Sequence, residues 1–467
     1  MNKIRIINYM STFILCILST IISLTVENYY FNYAALAFIY SLITSIFFLI
    51  DESSMKLPVL IIRITSFVRY FIIPIIVIFQ NSSEFIMDNN IIFIMIFELL
   101  ASHITILLYY KRVKFINKKR RMDYQEKLAE EAICNNNYKN INSTKIIKIS
   151  VSIIYIVGIV LLIRYPAIIK NYFSFSFTSK TYIGFNGLYS IIIDIFFFLL
   201  MVEMLIRVKR LIVLSVNTKL ILSVIVCVIY TNGQSITSIV VSRWSLVTCI
   251  IVSIVFLLTL YPEKKKILIT CTALVIPFIL VYGTIVKHML WQNGSEIGFY
   301  DAIVRSFSYN SINAYFSGPM NITTGLKMLQ NNNLPNLKII LSDIFANFPF
   351  INHFVDPMYT TPGLYNYSYY GSYISKDQIC PIIIQLYLYF GILSPIAYSL
   401  LVYLGLHSYS KIEHTNSFIL KNIYIIVSIY CSLILCININ IIFQVLWQQA
   451  FPLLLVDRLN FRVKVRN

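Results

Sequence analysis

Apolar runs of roughly 20 residues recur along this chain, each long enough to cross a hydrocarbon core of ~30 Å as a helix. They fall at about 6–25, 33–50, 58–80, 91–110, 150–168, 187–206, 212–231, 244–261, 266–286, 379–402, 422–437 and 440–456. The pattern predicts an all-α polytopic membrane protein of about twelve transmembrane helices. Two polar stretches interrupt the runs. One is a basic segment over 111–149, with a short helix expected near Tyr124–Ala132. The other is a long segment from His288 to Asp377, between the ninth and tenth spans. A connection of roughly 90 residues without strong periodicity is either functional or disordered. Its many tyrosines, among them Tyr359, Tyr365, Tyr367, Tyr369, Tyr370 and Tyr373, argue for a folded cap.

Composition agrees with the pattern. The chain is 58% hydrophobic and 12% charged, with a mean hydropathy of +0.75, against about 25% charged residues in ordinary soluble domains. The net charge of +18 changes the picture only through its distribution. With the N-terminus inside, 27 Lys and Arg fall in the inside segments and two, Lys170 and Lys180, in the short outside loops. That asymmetry puts both termini and the 111–149 segment in the cytoplasm and the 288–377 loop outside. The basic charge is thereby a topology signal, and nucleic acid is excluded as a partner. Apart from the topology, the 111–149 loop reads either as a solvated connection or as a clasp for anionic lipid head groups or a partner. The short basic N-terminus lacks a small-residue cleavage site and reads as a first span. Cys16, Cys227, Cys249, Cys271, Cys431 and Cys436 lie in apolar runs, so no disulfide framework is expected. Trp244, Trp291 and Trp447 fall near expected interfaces, as anchors do.

Candidate chemistry is sparse. Within spans stand Arg69, Glu98, His103, Arg164, Asp194 and Glu203, each costly unless paired or functional. Arg69 and Glu98 fall on adjacent antiparallel spans at similar depth and can pair. Asp194 and Glu203, nine positions apart on one helix, face nearly opposite ways and do not form a carboxylate pair. Arg164 beside Pro166 either snorkels or meets an anionic head group. Arg243 follows the polar turn Asn232–Ser235 and opens a strongly apolar helix. It reads either as an interfacial anchor or as a bidentate phosphate ligand. In the long loop, Asp301 and Arg305 share a helical face. Ile303, Phe307, Ile312 and Phe316 form an apolar stripe suited to a membrane surface. His353 and Asp356 lie between prolines, where helix is disfavoured. The loop has no HExxH, cysteine cluster or carboxylate-rich metal motif, and the chain has no phosphate-binding glycine loop. Neither a metal nor a nucleotide cofactor is expected.

The order of an arginine-opened helix after an external turn, a large arginine-containing loop and the helix PIIIQLYLYFGILSPIAYSLLVY resembles the O-antigen polymerases, the Wzy-type oligosaccharide repeat-unit polymerases of bacterial inner membranes. The resemblance covers most of the chain as topology and only Asn232–Trp244 and Arg305–Tyr403 as motif. It implies a glycosyltransferase acting at the periplasmic face on polyprenyl-diphosphate-linked oligosaccharides, with a chain-length regulator protein as a partner. The relatives' Arg-x10-Gly spacing is not kept, since Arg305 is followed by Gly318. The related O-antigen ligases commonly carry His-Asn where this chain has Cys380-Pro381. On this reading Arg243, Arg305 and Arg164 bind the diphosphate. The acceptor's proton goes to one of Asp356, His353 and Asp301, among which the residues do not choose. A lipid-linked oligosaccharide flippase fits the span count too, but internal repeats and broken spans are not evident. A sugar acyltransferase would need an external catalytic His, for which only His288 and His353 are placed.

Overall fold

In the computed structural model the described residues are 3–25, 30–50, 56–80, 87–131, 148–173, 187–234, 243–290, 298–332, 336–348, 351–373, 378–415 and 417–464. Among them the regular structure is entirely helical. The helices are α1 (Lys3–Thr25), α2 (Phe31–Ile50), α3 (Leu57–Phe67), α4 (Ile73–Gln80), α5 (Asn89–Glu131), α6 (Lys148–Arg164), α7 (Ala167–Phe173), α8 (Gly187–Arg210), α9 (Val216–Gln234), α10 (Arg243–Leu260) and α11 (Lys265–Leu290). The cap follows as α12 (Phe299–Ser306), α13 (Tyr309–Tyr315), α14 (Pro319–Gln330), α15 (Leu337–Ala346) and α16 (Thr361–Tyr370). The chain ends with α17 (Ile382–Phe390), α18 (Ser394–Ile412), α19 (Phe418–Ser432), α20 (Ile439–Val445) and α21 (Phe451–Lys464).

Helix occupies most of each of the twelve apolar segments, with non-helical breaks, among them 212–215, 379–381 and 433–437. Five stretches among the described residues are long and apolar enough to cross a membrane: Leu57–Gln80, Asn89–Val113, Val216–Gly233, Ile382–Ile412 and Ile439–Arg458. A sixth passes as the pair Leu246–Leu260 and Pro262–Ile276, bent by 116° at Tyr261. The chain is an all-helical membrane protein. Two of the long stretches contain a π-helical turn, at Val68–Ile72 and Leu446–Ala450. Such turns interrupt the regular ladder and often accompany functional sites.

Two expectations are corrected. The helix foreseen near Tyr124–Ala132 is not separate, because α5 runs unbroken to Glu131. The long loop, expected as a folded cap, consists among its described residues chiefly of five short helices, of seven to twelve residues, too brief for a period to stand out. Their boundary signals are local. Ser308, Asn336 and Thr360 accept from the first-turn N–H of α13, α15 and α16. Proline enters the first turn of α14 and α16, and Gly371 closes α16 at φ 71°. The apolar stripe expected over 303–316 is split where α12 ends at Phe307.

The cap packs on the bundle at several points. α12 sits on α11, α13 on α4, α14 on α5 and α17, and α15 on α17 and α20. Gly325 lets α14 approach α17 closely, since a Cβ there would lie 2.7 Å from the side chain of Ile384. Beneath the cap, the turn from Leu433 to Ile437 between α19 and α20 is fully buried.

Candidate functional site

The junction of cap and bundle holds the densest polar network among the described residues. Its centre is Asp343 on α15, which is 0% exposed. One carboxylate oxygen accepts from the Thr361 amide at 2.9 Å and from Asn440 Nδ2 at 2.8 Å. The other accepts from the Thr361 and Tyr389 hydroxyls in short contacts, with Gln385 Nε2 at 3.4 Å. Gln385 also donates to the Tyr389 hydroxyl at 2.6 Å and accepts from the Ile439 amide at 2.8 Å. One carboxylate thereby ties α15 to the N-terminal ends of α16 and α20 and to α17. Burial pushes the Asp343 carboxyl above its ordinary range, and the surrounding donors pull it part of the way back. The neighbouring Cys380 is buried, and its thiol is pushed well up by burial and by the Asp343 charge. That makes it a poor nucleophile.

Asparagines extend this network through the cap. Asn313 donates to Asn321 at 2.9 Å, Asn321 donates to the Ile379 carbonyl at 3.4 Å, and Tyr365 donates to the Asn321 carbonyl at 3.1 Å. Asn366 binds the backbone of Gln378 in both directions. None of these asparagines stands out in the sequence, because a single Asn in a polar loop carries no signal of burial.

Beside the junction, a cleft of about 830 Å³ opens between α5, α14 and the α17–α18 pair. Phe93, Phe97, Leu326, Leu329, Ile383 and Tyr387 make most of its wall, with Asn90, Gln330 and Ser394 as polar points. Its size and lining suit an apolar chain carrying a polar head.

The residues singled out from sequence lie elsewhere. Asp301 and Arg305 are exposed on α12. His353 is exposed on the 3₁₀ turn Asn352–Phe354. Asp356 is exposed and caps the next turn, accepting from the Met358 amide at 2.9 Å. Arg164 is exposed at the C-terminus of α6. Arg243 opens α10 as expected, while its side chain lies outside the described residues; Asn232, Gly233 and Gln234, expected in a turn before it, instead form the last residues of α9. Among the described residues no hydrogen bond or ion pair joins any two of these side chains. His353 and Asp356 share one stretch that packs on α15 and α16, whereas Asp301 and Arg305 share a helix that packs on α11 and α13.

The intramembrane charges are accounted for differently. Arg69 and Glu98, both 0% exposed, pair at 2.8 Å as their positions foretold. Tyr70 donates to Glu98 at 2.9 Å, and Ser102 joins the Glu98 carbonyl to the Tyr398 hydroxyl. Glu203 pairs within its own helix with Arg207 and accepts from Tyr155 at 2.9 Å. His103 binds the Leu99 carbonyl at 2.9 Å and packs on Phe47. Asp194 lines a separate cavity of about 30 Å³ with Tyr230, Thr248, Asn422 and Gln448, so the two carboxylates of α8 indeed do not meet. No cluster of metal-ligating side chains occurs among the described residues. Comparison of the chain with family models, with characterised proteins and with solved structures finds no match.

Proposed function

We propose that this chain polymerises polyprenyl-diphosphate-linked oligosaccharide repeat units into a surface polysaccharide such as O-antigen, at the outer face of a bacterial inner membrane. In this reading it crosses the membrane twelve times with both termini in the cytoplasm. The observation that carries the reading is the lateral cleft under the cap. An apolar groove of about 830 Å³ between α5, α14 and α17 suits a substrate whose hydrocarbon stays in the bilayer while its sugars lie against the cap. The exposed cap tyrosines, such as Tyr367 stacked on Tyr373 at 4.2 Å, supply flat amphipathic faces for sugar rings.

In the reaction, a hydroxyl of the acceptor unit attacks the anomeric carbon of the growing chain. The bond from that carbon to the polyprenyl diphosphate breaks, and the diphosphate leaves with the electron pair. Of the residues the sequence offers, Asp356, His353 or Asp301 would take the hydroxyl proton, although none of the three lines the cleft. Arg243 and Arg305 offset the charge developing on the diphosphate, with Arg164 as a further ligand. The chemistry asks for no metal.

Gel analysis of surface glycan tests the proposal. Deleting the gene leaves chains bearing a single repeat unit if the protein is a polymerase, and none if it is a flippase or a ligase. At the residue level, Arg243→Lys keeps the charge but loses the planar fork. At matched expression it should reduce long-chain glycan by on the order of 10² in rate, while Arg164→Lys serves as the milder comparison. The transporter reading draws support from interruptions that the sequence did not reveal, the pair bent by 116° at Tyr261 and the π-helical turn that carries the buried Arg69, and the glycan phenotype separates the two.

A further inference from the structure

The helix α15 is amphipathic the wrong way round for an element in water. Leu337, Leu341 and Phe345, spaced four apart along one face, are 69%, 54% and 41% exposed. The opposite face buries Ile339 and its one carboxylate, Asp343. In the stretch that follows, Ile351, Phe354 and Met358 are exposed as well. A contiguous apolar stripe of this kind requires a cover.

Contacts with the flanking spans give the depth at which the stripe lies. At its N-terminal end, the Asn336 amide donates to the carbonyl of Leu388 at 3.1 Å, the seventh residue of the span Ile382–Ile412. Beyond its C-terminal end, Phe348 packs edge-on against Trp447, with ring centroids 4.5 Å apart, at the ninth residue of the span Ile439–Arg458, which places Trp447 within the span and not at the interface where the sequence put it. At 1.5 Å per residue these positions are about 9 and 12 Å along their helices. Thus α15 lies alongside the spans and not above their ends. Ile344 also joins Val427, Phe443, Trp447, Phe451 and Leu454 in lining an apolar groove of about 430 Å³, so a continuous hydrocarbon surface runs from the last span onto α15.

Each end of the helix has a side-chain partner for a terminal backbone group, of the kind that hydrocarbon requires. Asn336 Oδ1 accepts from the Ile339 amide at 3.3 Å, and Asn347 Nδ2 donates to the Asp343 carbonyl at 2.8 Å. Lys338 folds its ammonium over the ring of Tyr359 at 3.3 Å, an arrangement that suits a cation snorkelling to the head groups.

We infer that α15 is a re-entrant element of the cap, embedded in the adjoining leaflet with Leu337, Leu341 and Phe345 against lipid acyl chains. The cap is then partly a membrane structure, whatever reaction it serves. A photoreactive benzophenone side chain placed at Leu341, Phe345 or Lys327 of the full-length protein in its cell membrane tests this. Lys327 is an exposed, charged position on α14. After irradiation, Leu341 and Phe345 should give phospholipid adducts severalfold more abundant than Lys327 does. Adducts to a second copy or to another protein at Leu341 and Phe345 would overturn the inference, since a protein would then cover the stripe. So would the low lipid yield of Lys327 at both positions, which would mark the stripe as bathed in water. All three are surface positions, and recovery of each variant as a monodisperse species confirms that its fold is kept.

Discussion

Glu98 and Asp343 are both fully buried carboxylates, and the protein satisfies them in opposite ways. Glu98 lies ten residues into the span Asn89–Val113 and is answered by a full charge, Arg69, with Tyr70 as an added donor. Asp343 lies where the cap meets the bundle and is answered by neutral donors alone among the described contacts. The difference follows from what each place offers. Inside a span the backbone N–H groups are consumed by the helix, so Glu98 must take its partners from side chains, one of them of opposite charge. At the junction two helices begin, and their N-terminal ends present a free amide at Thr361 and the side chain of Asn440 toward the same point. Helix N-termini favour negative charge, so no cation is needed.

The comparison breaks most readily at Arg69. Arg69→Met leaves Glu98 buried without its charge partner and should cost about 3–5 kcal/mol. Thermal unfolding in detergent and the yield of folded protein would measure it. The double variant Arg69→Met/Glu98→Leu should recover most of that loss. If Arg69→Met proves as mild as a change at the junction, the ion pair is not what supports that span.

Smaller effects are expected at the cap. Asp343→Asn replaces one acceptor oxygen by a donor and strands hydroxyls of Thr361 and Tyr389, for about 1–3 kcal/mol. Because α15 is the element released, proteolysis of the cap should increase before the bundle unfolds. Tyr389→Phe removes a single donor and leaves the others in place, so about 0.5–1.5 kcal/mol is expected.

The finest distinction between the two carboxylates is in pH. Burial raises the Asp343 carboxyl above its ordinary value, so the folded protein binds that proton more readily than the unfolded chain does. Its contribution to stability is fully present below the ordinary carboxylate range and is lost as pH rises through the raised value. Acidifying from neutral toward that range should therefore raise the cap's thermal midpoint in the wild type relative to Asp343→Asn. The opposite slope would show that the donors outweigh burial.

The candidate chemistry was the least legible part. Asp301, Arg305, His353 and Asp356 attract attention as ionisable groups in a polar loop, yet all four are exposed. The carboxylate with the most hydrogen-bond partners in the cap, Asp343, sits in the apolar run IILSDIFA and passes for an ordinary polar position. Its partners, Thr361, Gln385, Tyr389 and Asn440, are 18, 42, 46 and 97 residues away, and all four are neutral residues that no spacing rule selects.

The sequence by itself determined the helical segments, because a run of apolar residues in lipid must close its own backbone hydrogen bonds. It also determined the Arg69–Glu98 pair, because two opposite charges at one depth on adjacent spans have no better partner. Only the tertiary structure decided where the cap goes. Its helices are too short to orient themselves, and the side chains that fasten them are uncharged and distant in the chain. The inverted stripe of α15 became legible only when Asp343 was seen to face inward, since burying one carboxylate turns Leu337, Leu341 and Phe345 outward.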